Sequence, residues 1–229
     1  MPFDRSSPDN VVGLNQTHIP SDVDQRLAAL LTEKPRKLHT SLSYDPDGSA
    51  LFEELCRQPE YYLTRTEVGL LHRESARLVE ASNPDRIADL GCGNFEKTQI
   101  LIHEAVKRKG KITFHPCDID EGIIIESMPH LEHFYSDTVH TQAIVGTFED
   151  SLEYLSDTLD SCLYAFIGGT FGNLTGAEQA SLLRSVAASM NGNDTFLLAV
   201  DLVKTPKLNE AAYNDTASSV RRAMLRIRV

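Results

Sequence analysis

The sequence predicts an α/β protein, a Rossmann-like parallel sheet preceded by an N-terminal helical segment. Three observations carry that prediction. From residue 86 onward, short apolar runs alternate with helical patterns, and strands joined by helical crossovers pair in parallel. The first of these runs, Ile87-Ala88-Asp89-Leu90, ends in Gly91-Cys92-Gly93-Asn94, a tight turn that opens a helix at about Phe95. Before residue 84 the apolar spacing is helical. The expected organisation is a disordered lead-in over 1–20, a helical segment over 21–83, and the sheet domain over 84–229.

Each element has its own local signal. Residues 1–20 mix Pro, Ser, Asn and Asp without a continuous apolar stretch, which suggests a mobile lead-in and no secretory leader. Val23, Leu27, Leu30 and Leu31 fall at helical spacing behind a Ser21 cap. Leu51, Phe52 and Leu55 form a second short amphipathic stretch, ended by Pro59. Thr64 with Glu67 reads as a capping box for a long helix through Leu70, Leu71, Leu78 and Val79. Strands are expected over 86–90, 112–117, 140–145, 162–168 and 195–202. The helices between and after them are expected near 95–109, 120–127, 149–157, 175–190 and 207–224.

Bulk properties narrow the function. A 229-residue chain with 41% hydrophobic residues buries one substantial core. No apolar run approaches the roughly 18 residues that span a bilayer, and the net charge of −11 disfavours nucleic acid and anionic membranes. Arg221, Arg222, Arg226 and Arg228 read as a solvated helix face. Cys56, Cys92, Cys117 and Cys162 lack a C-x-x-C spacing, so they read as reduced thiols in a cytoplasmic protein, not as a zinc site. His130 and His133 lack a third metal ligand and sit in an expected loop.

The carboxyl ends of the strands hold the candidate chemistry. A Gly-x-Gly turn is either an ordinary strand-to-helix connection or a nucleotide cradle. A dinucleotide fingerprint wants a small third residue where Glu96 stands. Its carboxylate repels a diphosphate, so a phosphate-free cofactor such as S-adenosylmethionine fits better. Asp118, 25 positions after Gly93, is placed to accept from ribose hydroxyls, and Asp120 or Asp118 to cap the next helix. Lys97 could pair with a cofactor carboxylate or with Glu96. Phe148 could lie along an adenine or in the core. Gly168, Gly169 and Gly172 permit close backbone approach to a ligand. Thr175 can cap the following helix, which frees Asn173 for a substrate.

Together these segments resemble the S-adenosylmethionine-dependent histidine Nα-methyltransferases that make hercynine in ergothioneine biosynthesis. The resemblance runs from about residue 36 to 216. It is carried by Tyr44-Asp45 with Gly48-Ser49 and Leu51-Phe52, then Pro59-Glu60-Tyr61-Tyr62 with Thr64-Arg65-Thr66-Glu67. Leu90-Gly91-Cys92-Gly93 with Glu96-Lys97-Thr98, Gly172-Asn173-Leu174-Thr175, Asp201-Leu202-Val203-Lys204, and Tyr213 with Asp215 complete it. The family implies a class I methyltransferase fold, with the 21–83 segment on the substrate side.

The resemblance implies cofactor contacts at Gly91, Lys97, Asp118, Thr147 and Phe148. It implies an amino-acid pocket lined by Tyr44, Tyr61, Gly168, Asn173 and Tyr213, with Tyr61 and Tyr213 closing over the substrate carboxylate. Thr147 stands where the family usually has an acidic residue. No dedicated catalytic base is evident, and a water held near Tyr44 is a route for the amine proton. The family's sheet carries two more strands after the fifth helix, so the domain is expected to be C-terminally incomplete. The apolar strand Phe196 to Val200 then lies near an open sheet edge that a partner or an oligomer would cover. The expected function is N-methylation of an amino acid, by default L-histidine. A relative acting on another amino acid or amine, or a catalytically silent binding module, is the alternative.

Overall fold

A computed structural model describes residues 10–14, 32, 46–156 and 159–213. Its centre is a seven-stranded, wholly parallel sheet. In chain order the strands are β1 (Val11–Gly13), β2 (Arg86–Leu90), β3 (Ile112–Asp118), β4 (Val139–Thr141), β5 (Ala143–Val145), β6 (Cys162–Phe166) and β7 (Thr195–Leu198). They lie side by side as β1-β5-β3-β2-β6-β7, with β4 also on β3. The order reverses between β3-β2 and β2-β6, so a crevice opens above the carboxyl end of β2. The predicted α/β fold is the one observed.

The helices are α1 (Pro46–Arg57), α2 (Tyr62–Ser82), α3 (Thr98–Lys109), α4 (Glu121–Tyr135), α5 (Phe148–Leu155), α6 (Thr170–Asn173), α7 (Gly176–Ser189) and α8 (Pro206–Ala212). Successive strand residues point to opposite faces, and each face has its own core. Ile87, Phe114 and Leu163 pack with Leu71 and Val79 of α2, Leu101 and Ile102 of α3, and Ile124 and Leu131 of α4. Ala88, Leu90, Tyr164 and Phe166 pack with Leu152 and Leu155 of α5 and Leu182 and Val186 of α7. Burial on both faces explains why β2 and β6 read as continuous apolar runs.

Several expectations are corrected. The disordered lead-in does not hold at Val11–Gly13, which pairs with Ala143–Val145 as the edge strand. The expected strand over 140–145 is broken at Gln142, which stands opposite His115, next to Pro116. A parallel ladder would take a donor from residue 116 to the Gln142 carbonyl, and proline has none. The His115 ring supplies it instead, Nδ1 lying 3.2 Å from that carbonyl. His130 and His133 lie in α4, not in a loop, and the helix continues through Pro129. Among the described residues no three His, Cys, Asp or Glu side chains group as metal ligands.

The strand expected to reach residue 202 ends at Leu198, and Val200, Leu202 and Val203 are exposed. As expected, β7 is an edge strand; among the described residues nothing pairs with its outer side. Of the last expected helix, 206–212 is described and helical. The helix expected behind Ser21, Thr32 apart, and the C-terminal arginines lie outside the described residues. None of the helices is long and apolar enough to cross a membrane among the described residues.

Candidate functional site

The segment Gly91–Lys97 forms a longer turn than the sequence suggests, because the helix begins at Thr98 and not at Phe95. Gly91, Gly93 and Phe95 all have positive φ, at 78°, 53° and 54°. Phe95 is the unusual one, since a side chain in that region costs about 1 kcal/mol or more. Its ring is buried and meets Phe114 edge-on, with centroids 5.7 Å apart. That burial outweighs the backbone cost and pins the turn.

On the β3 side, Asp118 receives the Gly93 N–H at 3.0 Å and the Asp120 N–H at 3.1 Å. Burial raises the Asp118 carboxyl above its usual range, against the lowering effect of those backbone bonds. The two aspartates divide the roles foreseen for them. Asp120 caps α4, accepting from the N–H groups of Gly122 and Ile123, and Asp118 remains at the turn. The ring of Phe148 lies over Gly91, where a methyl group would stand 3.4 Å from it. Thr147 closes a capping box at the start of α5, its hydroxyl 2.7 Å from Asp150.

On the β6 side, Thr175 and Glu178 form a capping box on α7, leaving Asn173 exposed at the end of α6. Gly168 has φ of 110°. Tyr61 is buried and packs edge-on against Tyr213 at 5.6 Å and Phe52 at 6.2 Å. Its hydroxyl lies 4.0 Å from where a methyl on Gly169 would be. Arg65 holds this arrangement, donating to the carbonyls of Gln58, Pro59 and Tyr61 at 2.8, 2.5 and 3.0 Å. Those carbonyls belong to the bend between α1 and α2, so Arg65 fixes the bend that carries Tyr61. Tyr44 lies outside the described residues.

Lys97 pairs with Glu67 and not with Glu96. Its Nζ donates to Glu67 Oε2 at 2.9 Å, and Glu67 Oε1 accepts the Gly168 N–H at 2.7 Å. Glu67 is therefore no capping-box partner of Thr64, whose hydroxyl turns to Cys56 Sγ at 3.2 Å. Two further contacts bring α1 to the turn: Ser49 donates to Asp120 at 2.7 Å and Asn94 to Glu53 at 3.0 Å. Burial raises the Glu53 carboxyl, helped by the neighbouring Glu96.

Asp89 reads in the sequence as part of an apolar run. It is 1% exposed, takes a hydrogen bond from Thr98 through Oδ2, and leaves Oδ1 without a partner. Burial pushes its pKa up to about 7, against the Thr98 bond. A carboxylate inside an otherwise apolar strand, directly before the glycine turn, was the available signal. Glu67 carried no comparable signal, because its partners are 30 and 101 positions away.

The crevice thus offers a backbone cradle at Gly91 and Gly93, a carboxylate at Asp118, an aromatic face at Phe148 and a cation at Lys97. That set fits S-adenosylmethionine, with its adenosine, ribose diol and amino-acid tail. A family model described as histidine-specific methyltransferase, SAM-dependent, matches residues 23–226. The histidine N-alpha-methyltransferase of Mycobacterium tuberculosis is 35% identical over 186 residues, covering 81% of this chain and 57% of that protein. The N-methyltransferase fsqC of Aspergillus fumigatus is 28% identical over 177 residues, covering 75% and 48%. The 4-dimethylallyltryptophan N-methyltransferase easF of Claviceps purpurea is 25% identical over 215 residues, covering 89% and 62%. This chain therefore spans less than two thirds of the length of each.

Proposed function

The chain belongs to the histidine-specific, S-adenosylmethionine-dependent methyltransferase family, and on that premise we propose that it N-methylates the α-amino group of an amino acid, with L-histidine as substrate. The observation that supports this most is the meeting, at neighbouring strand ends, of two sets of residues. Asp118 and Phe148 stand on one side of the Gly91 turn. Gly168, Tyr61 and Tyr213 stand on the other.

When bound, S-adenosylmethionine supplies a methyl group on a sulfonium, already activated to leave. The work of the protein is then to position and to exclude water. Gly91 and Gly93 would let the backbone approach the ligand, Asp118 would accept from the ribose, and Phe148 would offer its ring to the adenine. Thr147 cannot replace the family's acidic residue directly, because its hydroxyl is engaged with Asp150. Across the turn, Tyr61 and Tyr213 close over the substrate carboxylate and the Asn173 amide holds its other polar end. The substrate amine would have to be neutral to act as the nucleophile toward that methyl group. No described side chain is placed as a dedicated base.

Calorimetry on the full chain with S-adenosylhomocysteine, with and without histidine, tests this together with mass analysis of the product. Binding of the cofactor product and methylated histidine are expected. Absence of cofactor binding would overturn the enzyme reading. Binding accompanied by methylation of tryptophan derivatives but not histidine would move the substrate toward that of the Claviceps relative.

A further inference from the structure

The Lys97–Glu67 pair lies where the two halves of the crevice meet. Both side chains are largely covered, at 23% and 17% exposed. Lys97 Nζ sits so close to the β6 end that a methyl on Gly168 would be 2.9 Å from it. Glu67 divides its oxygens, giving one to Lys97 at 2.9 Å and the other to the Gly168 N–H at 2.7 Å.

Strand order fixes the direction in which a ligand must lie. Asp118 ends β3 and Phe148 follows β5, both on one side of β2; Gly168 follows β6 on the other. A ligand with its adenosine toward Asp118 and Phe148 crosses the glycine turn and delivers its amino-acid tail to Gly168. That tail is a zwitterion, a carboxylate and an ammonium on one carbon. The pair waiting there is its complement.

We infer that Glu67 receives the α-ammonium of the cofactor's amino-acid tail, beside the carboxylate contact that the family resemblance already implies for Lys97, the protein's ion pair opening to exchange one partner each. This rests on the reading of the crevice as a methyl donor's cradle. The exchange is balanced: two opposite charges enter, and each meets a charge already desolvated by the fold. No unpaired charge is left buried, the state that makes covered ions costly. The Gly168 N–H keeps the Glu67 carboxylate aimed throughout, through the oxygen that Lys97 does not use.

The test compares two probes against the full chain by calorimetry. S-adenosylhomocysteine carries the tail; 5′-methylthioadenosine has the adenosine and the thioether without it. Glu67→Gln keeps an acceptor for Gly168 but removes the charge. It should weaken S-adenosylhomocysteine on the order of 10- to 100-fold and leave 5′-methylthioadenosine within about twofold. Equal weakening of both probes, or none of either, overturns the assignment in favour of a structural strap. A thermal melt checks that the variant folds. Should it not, Glu67→Asp, which keeps the charge on a shorter arm, must show the same selective weakening or the assignment falls. Failure of the unmutated chain to bind S-adenosylhomocysteine overturns the cradle reading itself, and is told apart because it appears before any substitution.

Discussion

At φ of 110°, Gly168 occupies backbone space that side chains rarely adopt, and the room a Cβ would take holds Lys97 Nζ. Gly168→Ala therefore meets backbone strain and must also push the Lys97 ammonium aside. It should lower unfolding free energy by about 1–3 kcal/mol in a urea titration, and unchanged stability would show that the loop relaxes freely. Two buried residues respond to pH in opposite directions. Asp89 has its pKa raised to about 7 by burial, so its share of stability is complete below about pH 4 and is lost as pH rises through 7. In Asp89→Asn that loss disappears, and the melting temperature should fall less than in the unmutated chain between pH 4 and 8. His115 is pushed down to about 4, again by burial first. Its Nδ1–H donates to the Gln142 carbonyl, a bond that favours the charged ring but does not offset the cost of burying it. Its contribution is present above pH 6.5 and is lost as pH falls toward 4. His115→Asn keeps a neutral donor, so the difference in melting temperature between the two proteins should narrow on acidification. A parallel pair of pH curves would sink that account.

Helices α1 and α2 meet the glycine turn through polar contacts reaching across 30 to 71 positions of sequence. The Ser49–Asp120 bond is the clearest to isolate, because Asp120 also caps α4. Ser49→Ala removes the link alone and should cost about 0.5–1.5 kcal/mol. Asp120→Ala removes link and cap together and should cost about 1 kcal/mol more. Chemical denaturation of both single variants and the double variant closes the cycle; additive losses would mean that the two residues do not communicate. The legibility of these elements in the sequence follows the same division. Strands β2 and β6 were visible because apolar runs report burial directly. Thr175 was visible as a cap because its partner Glu178 is three residues away. Glu67 was misread by that very rule, since Thr64 stands three residues before it and the true partners are distant. Phe95 was read as helix because nothing local announces a left-handed phenylalanine; the Phe114 contact that sustains it crosses to another strand.

Across the whole chain, 33 acidic residues face 22 basic ones, a net charge of −11. Self-repulsion of that size opposes compaction and is screened by salt. Raising sodium chloride from about 0.05 to about 0.5 M should therefore raise the melting temperature by a few degrees; a fall would mean that ion pairs such as Lys97–Glu67 outweigh the net repulsion. The family, the parallel sheet and the position of the crevice were all legible from the glycine turn and the tyrosine and Gly-Asn-Leu-Thr blocks. What links the two sides of the crevice was not, because it depends on how the long helix is seated.

That seating has a mechanical consequence. The buried positions of α2 are Leu71, Ser75, Val79 and Ser82, one stripe confined to its C-terminal two thirds. The helix is thus clamped in the core at one end, while at the other it is held by side-chain hydrogen bonds, those of Arg65 to the bend and of Glu67 to the crevice. With a rise of about 1.5 Å per residue, Glu67 stands roughly 18 Å from Val79. A tilt of only about 10° at the clamp would swing the carboxylate by about 3 Å, the full length of its bond to Lys97. Helix α2 is a lever, and small rearrangements at its root are magnified at the tip that touches the crevice.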